Sequence, residues 1–272
     1  MKFSAHSLNP QRYTETFEVF VNRSHEYDAV IDQLVKVTGS CPPNYSCLDI
    51  GAGTGKVILD WQSRGTPLPQ RYVAIEPFAD HIRSLRDTLT NLEVESELIE
   101  AKFTPDFRIT ERFDLIVLSH SCYWLTHPIQ CLLNAHQQLN QDGKLIAILQ
   151  SPIGGYPFFK LFNPYLDRDA PIGPDHAFSS FELANGLREA GLDPIINIES
   201  SWMDLTGLFT EDATRERDEF ISFLLQVEFS KISEPLKSDA VTYLRGACIE
   251  IDSKLVWHHP TASVQLNATK PC

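Results

Sequence analysis

Residues 48–57, LDIGAGTGKV, constrain this chain more than any other stretch. An apolar run carrying one acid, Asp49, stops at three alternate glycines, Gly51, Gly53 and Gly55. A chain that gives up side chains there needs positive φ, or needs something to approach its backbone closely. The same pattern continues downstream as strand–helix alternation. SCLDI (46–50) reads as a strand, with a helix over 55–64. YVAIE (72–76) is the next strand, with a helix over 79–90. ELIEA (97–101) and the strongly apolar FDLIVLSHS (113–121) follow, then a helix over 128–139. A DG turn leads into KLIAILQ (144–150). Alternation of this kind predicts an α/β fold with a parallel sheet and helices on both faces. Such sheets bind ligands beyond the carboxyl ends of their strands.

The flanks are read differently. Tyr13, Phe17, Phe20 and Val21 fall at helical spacing, as do Val30, Leu34 and Val35, so residues 10–38 predict two helices. NRSHEYD lies between them, with Ser24 as a candidate N-cap. After Gln150 comes an aromatic-rich, partly helical segment (154–166). SSFELANGLREAG then has Ser179 and Glu182 at capping-box spacing and a helix ending at Gly191. A strand over 194–202, helices over 213–228 and 234–249, and a closing hairpin of KLVWHH and ASVQLN complete the expectation.

With 272 residues, 43% of them hydrophobic, the chain can bury a full core as one large domain or one with a smaller appendage. Its formal charge of −13, with no run of Lys and Arg, argues against nucleic acid and suits a soluble enzyme with a cationic substrate. None of the six cysteines forms a C-x-x-C pair, so they read as reduced thiols of a cytoplasmic protein. No membrane span or signal-peptide core is recognisable.

Two ligands use a strand, a glycine loop and an acid at the next strand end. The dinucleotide fingerprint is G-x-G-x-x-G/A, whose last small residue lets helix and strand pack closely. Here Lys56 occupies that position in G-A-G-T-G-K. The pattern E/D-x-G-x-G-x-G belongs instead to proteins that bind S-adenosylmethionine. Asp49 precedes the loop as that pattern requires, and Glu76 ends the next strand, where a carboxylate can accept both ribose hydroxyls. Through LDIGAGTG, VAIEP and FDLIVLSHSCYWL, residues 46–150 resemble the class I S-adenosylmethionine-dependent methyltransferases. The resemblance implies a Rossmann-like, mostly parallel seven-stranded sheet and S-adenosylmethionine as cofactor.

A second resemblance extends over most of the chain. RYTETFEVFVNRSHEYDAVIDQLV is similar to the start of the histamine N-methyltransferase family, with its Asn-x-Ser-x-Glu turn at Asn22, Ser24 and Glu26. SSFELANGLREAGL and SWMDLTGLF follow in the family's order. This resemblance implies an N-terminal helical cap (1–45), a cofactor-binding core (46–150) and a substrate-binding region with the last strands (151–272). It implies methyl transfer to a small amine or heterocycle; a monomer or weak homodimer is expected. Glu26 inherits the role of substrate holder, near the methyl end of the cofactor. His120 stands where the family has an amide. His259 stands where it has an asparagine, with His258 as the neighbouring alternative. These three are the candidate catalytic residues. Tyr13, Phe17, Tyr123, Trp124, Phe158 and Phe162 match aromatic wall positions. Asp49, Gly51, Gly53, Gly55 and Glu76, with His81, Thr104 and Ser119, match the cofactor site.

Each assignment has a plainer alternative. Glu26 reads equally as a solvated carboxylate favoured at a helix start. His120 reads as a buried, hydrogen-bonded histidine, His259 as a surface one, and the aromatics as core. Two histidines and a carboxylate suit a facial metal triad. No close spacing supports one here, and no metal is expected. The rival functions are an O- or C-methyltransferase on the same scaffold and a non-catalytic S-adenosylmethionine-binding protein.

Overall fold

The computed structural model describes residues 2–170 and 178–268. Cys272 lies outside them; none of the other five cysteines is in a disulfide. The chain forms two compact units, each assembled from three segments. One comprises Tyr27–Leu149, Phe178–Glu199 and Thr261–Cys272; the other comprises Met1–Glu26, Gln150–Ala177 and Ser200–Pro260.

The first of these units is built on a seven-stranded sheet. In chain order its strands are Ser46–Ile50, Arg71–Glu76, Glu95–Glu100, Phe113–Ser119, Leu139–Gln150, Ile195–Glu199 and Thr261–Asn267. In space they run third, second, first, fourth, fifth, seventh, sixth. The first five pair in parallel, and the last two pair antiparallel to each other. Alternate side chains enter opposite cores, the period-two rule applied to a sheet buried on both faces. Leu48, Ile50, Ile116 and Leu118 pack with helices Pro128–His136 and Ser180–Glu189, through Leu132, Ala135, Leu183 and Leu187. Cys47, Leu115 and Val117 pack on the other side with Val30, Leu34, Trp61 and Leu85. Those residues come from helices Glu26–Thr38, Lys56–Ser63 and Ala79–Asn91.

The second unit holds a separate core of Phe20, Phe158, Phe162, Met203, Phe220, Phe229 and Trp257. It contains helices Pro10–Val21, Gly155–Phe162, Thr214–Leu225 and Glu234–Gly246. An antiparallel three-stranded sheet orders Cys248–Ile251, Lys254–His258 and Trp202–Asp204. Phe3–Ala5 pairs in parallel with Leu166–Arg168. The first helix starts where the Asn9 side chain accepts a hydrogen bond from the Arg12 N–H at 2.9 Å.

Three expectations are corrected. The closing hairpin does not form: Lys254–His258 joins the three-stranded sheet, whereas Thr261–Asn267 joins the seven-stranded one. The single strand expected over 194–202 is two, Ile195–Glu199 and Trp202–Asp204, in different sheets. Asp142–Gly143 is not a turn before the fifth strand but part of a bulge within Leu139–Gln150. Its pairing register jumps from Phe113–Leu139 to Leu115–Lys144. A Cβ on Gly143 would sit 2.7 Å from the Phe113 carbonyl oxygen, so close backbone approach requires glycine there.

Candidate active site

The spatial order of the strands reverses direction between the first and the fourth, the place where open α/β sheets bind ligands. Gly51–Gly55 leaves the first strand there. All three loop glycines have positive φ: 77°, 58° and 87°. Gly51 is held from behind: its N–H donates to the Ile75 carbonyl at 2.7 Å, and an added Cβ would lie 2.4 Å from the Ser121 Cβ. The Ser121 hydroxyl donates to the Ile50 carbonyl at 2.6 Å, bracing the loop against the end of the fourth strand. At Gly55 a Cβ would meet Leu85 at 2.8 Å. Around Gly53, by contrast, nothing lies within 4 Å of an added Cβ, so the loop's crest is open.

Glu76 is buried at the end of the second strand. One carboxylate oxygen accepts the Gly53 N–H at 3.0 Å; the other accepts the Phe78 N–H at 3.2 Å and lies 3.1 Å from the His81 Nδ1. A carboxylate offers about four acceptor positions, so capacity remains for a ligand hydroxyl. Phe78 is 60% exposed beside it, edge-on to His81. Asp49 lies under the loop, buried, with the Tyr72 hydroxyl donating to it at 2.6 Å. Burial pushes its carboxyl up to about 6; the Tyr72 bond opposes that and the Glu76 charge adds to it. The Ser119 Oγ is buried with no hydrogen-bond partner among the described residues, and Thr104 is exposed. An open glycine crest, a carboxylate with acceptor capacity and an orphaned hydroxyl fit an adenosine-bearing cofactor. Lys56, paired with Asp60 at 2.7 Å and lying over the Tyr27 ring, denies a dinucleotide the small residue its loop needs.

His120 follows the fourth strand with φ 50°, its N–H donating to the Ile148 carbonyl at 2.8 Å. Its ring centroid lies 6.4 Å from that of Tyr123, which packs 5.6 Å from Phe178. Trp124 is 57% exposed. All of these belong to the unit of the seven-stranded sheet.

Glu26, His259 and the remaining aromatic positions belong to the other unit. The Ser24 Oγ accepts the Glu26 N–H at 3.0 Å, and the His25 N–H donates to the Trp202 carbonyl, tying the turn to the three-stranded sheet. Glu26 and His259 are both buried, with Oε1 and Nε2 4.0 Å apart. His258 instead packs, tilted, against Trp202 at 4.7 Å, so the two adjacent histidines are distinguished. Tyr13, Phe17, Phe223 and Phe20 form a continuous aromatic array that reaches His259 edge-on at 5.5 Å. Burial raises the Tyr13 phenol to about 12. Phe158 and Phe162 pack with each other inside the core, and the exposed Tyr243 ring packs against both.

Sequence patterning missed Ser121, Tyr72, Phe20 and Trp257, because each acts through contacts distant in the chain. The Gly154–Gly155 doublet was the one local signal of the His259 setting. Among the described residues no group of three or more His, Cys, Asp or Glu is placed to hold a metal ion.

A family model described as a methyltransferase domain matches residues 21–196. No curated protein shows significant sequence similarity to the chain. Among solved structures, the YcgJ protein from Bacillus subtilis is similar with a TM-score of 0.58 at 12% identity, covering 89% of this chain and 98% of that one. An S-adenosylmethionine-dependent methyltransferase from Thermotoga maritima, described as a possible histamine N-methyltransferase, gives 0.51 at 13%, covering 95% of each. The plantazolicin methyltransferase BpumL, solved with S-adenosylhomocysteine, gives 0.51 at 12%, covering 96% of this chain and 91% of that one.

Proposed function

The chain belongs to the methyltransferase domain family, and from that premise we propose that it methylates a nitrogen of a small amine or heterocycle. It is an enzyme, and its methyl donor is S-adenosylmethionine. The observation that carries the reading of the acceptor is the Glu26–His259 pair, buried beside an aromatic array. A polar pair in such surroundings suits a small polar ligand with a cationic or hydrogen-bonding group.

We assign Gly51, Gly53, Gly55, Glu76, Ser119, His81 and Thr104 to the cofactor, with Asp49 acting from beneath the loop. Tyr13, Phe17, Tyr123, Trp124, Phe158 and Phe162 are assigned to the surroundings of the acceptor. When bound, the cofactor supplies a methyl group on a positively charged sulfur, which is a good leaving group. The protein's work is alignment, which can supply about 7 kcal/mol or more of the barrier. The His120 imidazole is assigned as the base that would take the proton an acceptor nitrogen releases on methylation. Within its own unit, Glu26 is assigned to hold a polar group of the acceptor, beside aromatic side chains that exclude water.

The test incubates the protein with S-adenosylmethionine carrying a labelled methyl group and a panel of small amines and nitrogen heterocycles. Mass analysis should locate the label on nitrogen. His120→Gln should keep cofactor binding while turnover falls about 10²-fold, the scale of a lost positioned base. Label on oxygen or carbon would overturn the nitrogen assignment. Full turnover in His120→Gln would remove the base.

A further inference from the structure

His259 sits in a seat made by two glycines. Gly154 has φ 82° and ψ −120°, a conformation essentially restricted to glycine. A Cβ added to Gly154 would lie 2.8 Å from the His259 Nδ1, and one added to Gly155 would lie 2.9 Å from its Cε1. Both side chains are absent where the imidazole lies. The Gly155 N–H donates to Nδ1 at 3.1 Å. The His259 N–H donates to the Ser201 carbonyl at 2.9 Å, and Phe20 and Trp257 pack on the ring at 5.5 and 5.3 Å. Position, plane and one ring nitrogen are therefore all fixed by the surrounding chain.

The chemical consequence follows from the imidazole itself. A neutral ring has one N–H and one lone pair. A nitrogen that accepts a backbone N–H bears the lone pair, so the proton is on Nε2. Protonating Nδ1 as well would set two N–H donors face to face. The His259 Nε2 lies 4.0 Å from the Glu26 Oε1.

We infer that the Gly154–Gly155 seat holds His259 as the Nε2–H tautomer, so that His259 is a hydrogen-bond donor and not a proton acceptor. Assigned to the substrate, His259 supplies a donor and Glu26 an acceptor, which suits a substrate carrying both kinds of group, a hydroxyl, amide or neutral amine. Gly155 is then a positioning residue acting through His259. The specificity part rests on the assignment of Glu26 and His259 to the substrate, whereas the tautomer does not.

Two measurements on the full chain test this. Nitrogen-15 correlation spectra of histidine-labelled protein near pH 7, with the His259 signal identified by its loss in His259→Gln, should show a neutral ring protonated on Nε2. An Nδ1–H or doubly protonated ring would overturn the proposal. Kinetics on an acceptor found in the methylation assay form the second arm. His259→Gln keeps an N–H near the Nε2 position and should raise KM less than His259→Leu does. His259→Leu should raise KM tenfold or more with kcat nearly unchanged, and Gly155→Ala should follow it by displacing the ring. Loss of kcat at constant KM in His259→Leu would make His259 a base and overturn the donor role. Failure of the underlying reading is seen separately: Glu26→Gln would leave KM unchanged, whatever the spectra show.

Discussion

Burial holds the Asp49 carboxyl at about 6, above its ordinary 3.8. The folded state therefore binds this proton more tightly than the unfolded chain does. The stabilisation belongs to the protonated form: it is fully present below 3.8 and is lost as pH rises through about 6. Two units correspond to about 3 kcal/mol. Asn cannot titrate, so the stability of Asp49→Asn minus that of the wild type should rise by about 2.5 kcal/mol from pH 4 to pH 7. Urea unfolding at each pH measures it, and a difference independent of pH would show that Asp49 does not titrate in this way. At this scale the sequence showed what is local. Three glycines and an acid lie within seven residues, so the loop could be read directly. Ser121, which makes the glycine at position 51 necessary, lies 70 residues away and was invisible until the strands paired. The setting of His259 was hidden in the same way, since Gly155 is 104 residues distant.

Among the elements, the helix Ser180–Glu189 shows how fully a local pattern can specify structure. Ser179 and Glu182 form the expected capping box, and the Glu182 carboxylate accepts the Ser179 N–H at 2.7 Å. The helix buries Leu183, Ala184 and Leu187 against the sheet. Ser179→Ala should cost about 1 kcal/mol in urea unfolding, the usual worth of an N-cap hydroxyl. No loss would mean that Glu182 alone carries the cap. The last strands show the limit of such reading. Their alternation identified them as strands, but alternation carries no address for a partner. Thr261–Asn267 passes over its chain neighbour and pairs with Ile195–Glu199, more than sixty residues earlier. Pro260 separates it from Lys254–His258, and His259, forced toward extended backbone by the following proline, becomes the link between sheets. A hairpin would have put His259 in a turn; the link puts it in a core beside Glu26.

Across the whole molecule each unit draws on three separate segments. Local pattern finds elements but does not say which of two cores receives them. The helix Glu26–Thr38 illustrates this: its first residue belongs with the aromatic unit, and Val30, Leu34 and Val37 pack with the sheet. The glycine loop, Glu76 and Ser119, proposed as the cofactor site, all lie within the unit of the seven-stranded sheet, so their assignment predicts an effect of the cofactor on stability. A ligand that binds only the folded state, supplied at one hundred times its Kd, adds about 2.7 kcal/mol. For a chain of this size that raises Tm by about 5 °C. On the proposed assignment, Glu76→Ala removes an acceptor for a ligand hydroxyl pair. If that weakens binding by about 2 kcal/mol, the same cofactor concentration shifts the variant's Tm by only about 2 °C. Thermal melts with S-adenosylmethionine and with S-adenosylhomocysteine should both show the full shift for the wild type and the reduced shift for Glu76→Ala. A nicotinamide dinucleotide should give none, because Lys56 occupies the position where its loop needs a small residue. Equal shifts in wild type and variant would remove Glu76 from the site, and a shift with the dinucleotide would overturn the reading of the loop.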